Sequence, residues 1–407
     1  MEKRAGRIAL VVPDYSQEGG VKNVARFIET VLEQSEFDFD VISLATSARD
    51  PLSTSLLAPA TWWRRPGQAR MTDGRRNYIH VGCRLRELEF MRYLPRPELT
   101  ALLDKYDVVQ CVTGSPAFGY AARDTKAPVL LQTATLIRNE RRMLLQGRGL
   151  IPLLRRVMTE ITARIDMLAL ARADVVQVEN RWMDRELRRR FPTKVRFDPP
   201  GVDADFFHPM SLSERVLKDP YILSVGRFND PRKNVSLLFR AYRQLRDQLH
   251  QAPRLVLAGK TMPRPVDLAL LDELQLRPYV DLRPDVGMDE LRMLYAQAQA
   301  FALSSDEEGL GLVLLEAMAS GCPVVSTASG GPETMIAHGG TGLLVALNDP
   351  EALAGALQQL LQNPSLRNEL SCRARKLVEE RFSIQSAREH FLNEYRSSIA
   401  RSGKGTA

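Results

Sequence analysis

Short apolar runs alternate with amphipathic stretches along most of this chain of 407 residues. Arg7-Ile8-Ala9-Leu10-Val11-Val12 predicts a strand buried on both faces. Past Gly19-Gly20, the residues Val21, Val24, Ala25, Ile28, Val31 and Leu32 recur at helical spacing and predict a helix with one apolar stripe. Further strands are predicted over 108–112, 129–132 and 174–178 in the first half, and over 221–225, 254–258, 301–303 and 323–326 in the second. Helical patterns fall between them, including an amphipathic one over 235–249. Strands alternating with helices through short connections imply an α/β fold with parallel sheets covered on both faces. The turn-rich Pro199-Pro200-Gly201-Val202-Asp203 divides the pattern into two halves. The stretch 56–76, with Trp62, Trp63 and several arginines, shows no period and is read as a loop or insertion.

Composition changes this picture little. Apolar content of 44% and charged content of 26% are those of a globular enzyme. Cys83, Cys111, Cys322 and Cys372 lack metal-ligand spacing and read as reduced thiols, with Cys111 and Cys322 in apolar runs of the core. The first apolar run is too short for a signal sequence, and none approaches the ~20 residues of a membrane span. A cytoplasmic protein is expected.

Charge is more informative. Residues 1–200 hold 33 Lys and Arg against 24 Asp and Glu, whereas the remainder holds 23 against 25. A basic half suits a nucleic acid, an anionic membrane or an anionic substrate. No nucleic-acid partner is expected, because no aromatic and basic motif of a known module accompanies the arginines. Within 138–172, Arg138, Arg141, Arg142, Arg148, Arg155, Arg156, Arg164 and Arg172 interleave with Leu150, Ile151, Leu153, Leu154, Val157, Met158, Ile161 and Ile165. An interfacial helix on an anionic membrane surface would give this pattern, and so would a core-facing helix with a solvated cationic side.

The candidate chemistry concentrates in residues 304–345. Glu308 and Glu316 flank the turn Gly309-Leu310-Gly311-Leu312, from which a helix runs to Gly321. A helix N-terminus offers backbone N–H groups to a phosphate, and carboxylates on either side can accept hydroxyls. This layout suits a nucleotide sugar. Just after the strand at 221–225 stands Gly226-Arg227-Phe228-Asn229-Asp230-Pro231-Arg232-Lys233, and Arg and Lys are the usual phosphate partners.

The order Glu308-Gly309-Leu310-Gly311-Leu312, Glu316-Ala317-Met318-Ala319-Ser320-Gly321-Cys322-Pro323-Val324, Gly330-Gly331-Pro332-Glu333 and Thr341-Gly342-Leu343-Leu344-Val345 resembles the signature of the retaining GT-B glycosyltransferases of group 1, family 4-like. The resemblance implies two facing Rossmann-like domains with a cleft between them. The first would be an acceptor-side domain over 1–200, the second a nucleotide-sugar-binding domain over 201–383. Residues 384–407 would form a last helix crossing back to the first domain, with a frayed tail.

The resemblance also implies roles. Arg227 and Lys233 would stabilise the leaving diphosphate, and Glu308 would contact the transferred sugar. Gly309, Leu310, Gly311, Leu312 and Gly226 would line the donor, with Glu316 on the ribose hydroxyls. Gly19 and Gly20 would border the acceptor and the donor phosphates. The family often carries a histidine where this chain has Ala134, so Thr133 and Thr135, or Thr113 and Ser115, are the hydroxyls expected in its place. Pro200 likewise stands where Asn is usual. The implied reaction moves a sugar, with retention and without a metal or other cofactor, from a nucleotide-diphosphate sugar such as a UDP- or GDP-sugar. The acceptor would be a saccharide or a lipid-linked one for polysaccharide assembly, met in the cytoplasm or at the inner face of its membrane. A sugar-nucleotide epimerase of the same fold and a catalytically inactive sugar-nucleotide scaffold are the alternatives.

Overall fold

A computed structural model describes residues 5–17, 19–74, 76–145, 149–210 and 219–403. Arg148 and the tail beyond Gly403 lie outside the described residues. The chain forms two compact units, Met1–Pro200 with Arg388–Ala407, and Gly201–Ala387.

The first unit is built on β1 (Gly6–Pro13), β2 (Phe37–Leu44), β3 (Gln68–Asp73), β4 (Arg76–Val81), β5 (Val108–Thr113), β6 (Val129–Thr133), β7 (Val175–Val178) and β8 (Val195–Phe197). They lie in the order β3-β4-β2-β1-β5-β6-β7-β8. All pairs are parallel except β3 with β4. Every residue of β5, β6 and β7 is buried, as the continuous apolar runs require of strands covered on both faces.

The second unit contains β9 (Tyr221–Arg227), β10 (Arg254–Thr261), β11 (Val280–Pro284), β12 (Ala300–Leu303), β13 (Val324–Thr327) and β14 (Leu343–Val345). Their order is β11-β10-β9-β12-β13-β14, parallel throughout. Parallel strands put all their carboxyl ends on one edge of the sheet, and ligands of such sheets bind there.

The stretch 56–76 is not a loop throughout, because β3 lies within it and hairpins onto β4. β3 escapes a periodicity reading because it is an edge strand whose residues are alternately exposed and half-buried, so it has no apolar face to betray it. Charge pairs hold the hairpin to the helix Gly20–Glu33: Lys22 Nζ to Asp73 at 2.5 Å, and Arg76 Nε to Glu29 at 2.8 Å.

The last helix, Ile384–Arg401, contributes most of its length to the first unit. Phe391 is fully buried, edge-on to Phe27 with ring centres 5.3 Å apart, and Tyr395 meets Phe37 at 5.9 Å. Arg396 pairs with Glu36 at 2.8 Å and Glu394 with Arg196 at 3.2 Å. In the second unit, the start of this helix is pinned to the link. Val202 N–H donates to the Phe382 carbonyl at 2.7 Å, and Ile384 N–H donates to Val202 at 3.0 Å. A Cβ on Gly201 would come within 2.5 Å of the Ser383 carbonyl oxygen, so only glycine fits this approach.

The first unit therefore needs a segment from the far end of the chain. Phe391→Ala should cost about 3–5 kcal/mol, the usual price of a truncated core aromatic. Urea unfolding followed by fluorescence checks it, and a loss below about 1 kcal/mol would contradict the packing described.

Candidate functional site

β9 and β12 are neighbours in the second sheet, so the loops that leave their carboxyl ends run side by side. The loop after β9 begins at Gly226-Arg227, turns through Pro231–Lys233 and reaches Asn234, which adopts a left-handed conformation with φ of 42°. The Asn234 side chain then accepts the Leu237 N–H and caps the helix Val235–Gln248. The loop after β12 is Ser304-Ser305-Asp306-Glu307-Glu308.

Residue after residue, the two loops are joined. Asp306 N–H donates to the Arg232 carbonyl at 2.8 Å, and Asn234 Nδ2 donates to Asp306 at 2.8 Å. Ser304 Oγ donates to the Lys233 carbonyl at 2.9 Å. Arg232 reaches Glu307 at 2.9 Å while also holding Asp230 at 2.8 Å. Lys233 Nζ meets Glu308 Oε1 at 2.5 Å, and Ser305 Oγ donates to the same oxygen at 2.6 Å. The Lys233 and Glu308 side chains are only 16% and 10% exposed, so this pair is largely desolvated. Arg227 is more open and approaches Asp230 at 3.5 Å. Burial would raise the Asp230 carboxyl, but the adjoining Arg232 guanidinium outweighs it and holds the carboxyl below its ordinary range.

Two glycines give Arg227 its setting. β10 carries one extra residue against β9 between Ala258 and Thr261, a bulge of the kind that redirects a strand end. Gly259 lies in this bulge, where a Cβ would stand 2.1 Å from the Gly226 carbonyl oxygen. Gly226 is itself crossed by the Lys233 stem, whose Cδ and Cε would be 3.8 Å from an added Cβ.

From Glu308 the chain pairs with the segment after β13. Glu308 N–H donates to Ser329 O at 2.9 Å, and Gly331 N–H donates to Glu308 O at 3.0 Å. An added Cβ on Gly331 would meet the Leu310 carbonyl oxygen at 2.5 Å, which explains the Gly330-Gly331 pair. The Leu310 side chain is buried in the core, so only its backbone can face a ligand. Gly311 turns left-handed at φ 88° and opens the helix Leu312–Ala319, with no side chain capping that end. The first amides of this helix therefore stand where an anion would satisfy them. Further along, the Glu316 carboxylate accepts the Tyr295 hydroxyl at 2.8 Å. Glu316 keeps some surface open to solvent but is packed mostly among protein atoms. Burial pushes its carboxyl up to about 7 against the opposing Tyr295 hydrogen bond.

The structure thus brings Arg227, Lys233, Glu308, Gly309, Leu310, Gly311 and Leu312 to one edge of the second sheet, with Glu316 on the helix that follows. Sequence reasoning missed Asp230, Arg232, Ser305, Asp306 and Glu307, which fix the loops. The signal for Asp230 was Asp-Pro before a turn. Gly259, directly after a predicted strand, was likewise visible as bulge chemistry.

Gly19, Gly20, Thr133 and Thr135 belong to the first unit. Gly20 begins the helix Gly20–Glu33, and an added Cβ there would meet nothing within 4 Å. Thr133 is fully buried and its hydroxyl donates to the Gly114 carbonyl at 3.1 Å, while Thr113 donates to Gln132 O at 3.1 Å. These hydroxyls tie the ends of β5 and β6 together. The Ala134 carbonyl accepts Asn180 Nδ2 at 2.9 Å. Asp166 accepts the N–H groups of Ala117 and Ile137 at 2.8 and 2.9 Å, and burial pushes its carboxyl up to about 7.

Comparison with known proteins places this geometry. Residues 212–377 match the family described as glycosyl transferases group 1. A D-inositol 3-phosphate glycosyltransferase of Nocardioides sp. is 30% identical over 338 residues, covering 76% of this chain and 71% of the relative. An N-acetylgalactosamine-N,N'-diacetylbacillosaminyl-diphospho-undecaprenol 4-alpha-N-acetylgalactosaminyltransferase of Campylobacter jejuni is 30% identical over 54% of this chain and 60% of the relative. Among solved structures, the sucrose-phosphate synthase of Thermosynechococcus elongatus superimposes with a TM-score of 0.72 at 22% identity, covering 97% of this chain and 99% of that one. HepE from Anabaena, in complex with UDP and glucose, gives 0.68 at 15% identity over 96% and 99%. At these identities the structural likeness is one of fold, the two-domain GT-B arrangement of α/β units.

Glu316 yields a pH-dependent test. Its carboxyl titrates from about 7 in the folded chain and from 4.5 in the unfolded one. The folded state thus keeps this proton to higher pH, and the cost to stability grows between those values and is complete above 7. Glu316→Gln should match the parent near pH 4 and exceed its stability by on the order of 3 kcal/mol at pH 8. Denaturant unfolding at both pH values checks this, and equal stability at pH 8 would contradict it.

Proposed function

Since this chain belongs to the glycosyl transferases group 1 family and is a glycosyltransferase, we propose that it moves a sugar, with retention at the anomeric carbon, from a nucleotide-diphosphate sugar. The observation that carries the donor reading is the joined pair of loops in the second unit, where Lys233 and Glu308 meet beside an uncapped helix N-terminus. On this reading a UDP- or GDP-sugar places its diphosphate against Arg227, Lys233 and the amides that follow Gly311. Glu316 takes the ribose hydroxyls. Lys233 exchanges one anion for another, and Glu308, still held by Ser305, turns to a hydroxyl of the sugar. The anomeric carbon then loses its bond to the phosphate oxygen and gains one to the acceptor oxygen. The acceptor proton passes to the departing phosphate, so the step needs no protein base and no metal, in keeping with Ala134. Charge builds up on the leaving diphosphate, where fixed cations and amides stabilise it most.

The acceptor in this reading is a saccharide or a lipid-linked saccharide, in the cytoplasm or at the inner face of its membrane, within polysaccharide assembly. Support comes from the relatives, one named for D-inositol 3-phosphate and another for a diphospho-undecaprenol glycan. UDP and glucose in the HepE complex support the donor class. Among the described residues no helix is long and apolar enough to cross a membrane.

A thermal-shift panel of UDP-, GDP-, ADP- and dTDP-sugars tests the donor. One nucleotide family should stabilise the protein, by about 2.7 kcal/mol at a hundredfold excess over Kd. Arg227→Ala and Glu316→Ala should abolish that shift. In a transfer assay, Lys233→Ala or Glu308→Ala should lower kcat about 10²–10³-fold, as removal of one transition-state contact does. A donor that binds without ever being turned over would move the chain to the scaffold reading, and product that is an inverted anomer would overturn retention.

A further inference from the structure

We propose that the first unit docks on an anionic lipid bilayer through the first two turns of the helix Leu150–Arg172, with the loop around Trp62 and Trp63 as a second contact. The two ends of this helix differ. From Thr159 to Leu170 it is a core helix, with Thr159, Thr162, Ala163, Ile165, Asp166, Ala169 and Leu170 buried. Before that it is not. Leu150, Ile151, Leu153, Leu154 and Val157 are between 51% and 71% exposed. Leu150, Leu153, Leu154 and Val157 recur at the spacing of one helical face, so the exposed side chains form a stripe rather than scattered points. The core-facing reading of the sequence pattern therefore holds for the second half of the helix, while the first half leaves its apolar side chains exposed. Isolated exposed leucines need no partner, but a contiguous stripe of them marks a contact surface.

The charge around the stripe selects the partner. Residues 141–159 contain Arg141, Arg142, Arg148, Arg155 and Arg156 and no Asp or Glu. The nearest following carboxylate, Glu160, is engaged by Arg138 at 2.6 Å. The second patch repeats the composition. Residues 51–72 hold Arg64, Arg65 and Arg70 without an acidic residue, and there Trp63 is 94% and Leu57 82% exposed. Trp62 is fixed through its indole N–H to the Ser55 carbonyl at 3.0 Å, so this loop is folded with its aromatic side chains outward. Glu89 pairs with Arg141, and Glu98 and Glu87 reach the Trp62 loop at Arg65 and Ser55, but neither stretch carries an acidic residue of its own. Apolar side chains among an excess of arginines suit a surface that is apolar within and anionic at its boundary. Indole rings settle at that boundary. A second copy of this chain would bring the same arginines face to face.

Docking gives the proposed lipid-linked acceptor a surface on which to be met, and rests on that reading only for its purpose. The test accordingly uses neither donor nor acceptor. The full chain is floated with vesicles of phosphatidylcholine alone and of phosphatidylcholine with phosphatidylglycerol, at low and raised salt. The anionic vesicles should carry the protein, and raised salt should weaken binding. Leu153→Ser with Leu154→Ser should weaken it at least about tenfold. Trp63→Ala should weaken it up to a few fold, and both variants should keep the parent melting temperature because the side chains are exposed. Failure of the parent to float with anionic vesicles, or parental binding by the leucine variant, overturns the proposal. So does a dimer in size-exclusion chromatography that the leucine variant dissociates, since it gives the stripe to a second copy. None of these outcomes touches the donor assignment, which the nucleotide panel reads separately.

Discussion

The second unit is organised around one nearly buried ion pair, Lys233 with Glu308 at 2.5 Å. It exists because β9 and β12 are adjacent and parallel, which sends both carboxyl-terminal loops off the same edge of the sheet. Two loops of opposite charge then meet along their length, Arg232 on Glu307, Lys233 on Glu308 and Asn234 on Asp306. Removing one partner from such a pair is costly, about 3–5 kcal/mol, because the other charge is left stranded. On the proposed reading a diphosphate would avoid that cost, offering Lys233 a new anion as it takes the old one away. The resting site is self-neutralised, and donor binding would be an exchange of partners.

The same reasoning shows which parts of this chain its sequence could announce. Parallel strands buried on both faces are unbroken apolar runs, so β1, β5, β6, β9, β10 and β12 were each readable within a few residues. The helix Leu312–Ala319 was marked at its start by Gly311, which takes the left-handed turn. Edge elements were not readable. β3 buries no full face; it pairs along its length with β4, and Lys22 fastens its end at Asp73 from 51 positions away. No local pattern encodes a contact at that distance.

The site divides in the same way. Its motif residues stand in two clusters, around Lys233 and around Glu308, 75 positions apart, and the groups that aim them carry no motif of their own. Ser305 and Tyr295 set the two carboxylates from within their own half, and Gly259 makes room for Gly226 from the neighbouring strand. Thr133 shows the converse. The sequence offered its hydroxyl as a free group on the acceptor side, but in the fold that hydroxyl is committed to the Gly114 carbonyl and the side chain is fully buried. A strand end must satisfy its backbone before it can serve a ligand.

Charge distribution then separates the two proposed tasks of the molecule. In the loops after β9 and β12 each cation meets a carboxylate, with Asp230 shared by Arg227 and Arg232, and residues 201–407 carry slightly more acid than base. The basic excess resides in residues 1–200 instead, and much of it lies in two stretches that contain no carboxylate at all. Selectivity for a small ligand favours cations that are already paired, because only a ligand that satisfies every displaced group can enter. Attraction to an extended anionic surface, as proposed for the first unit, favours the reverse, an excess of arginines over carboxylates acting together over the range of a Debye length. On the two proposals, one chain would meet both demands by keeping them in different units.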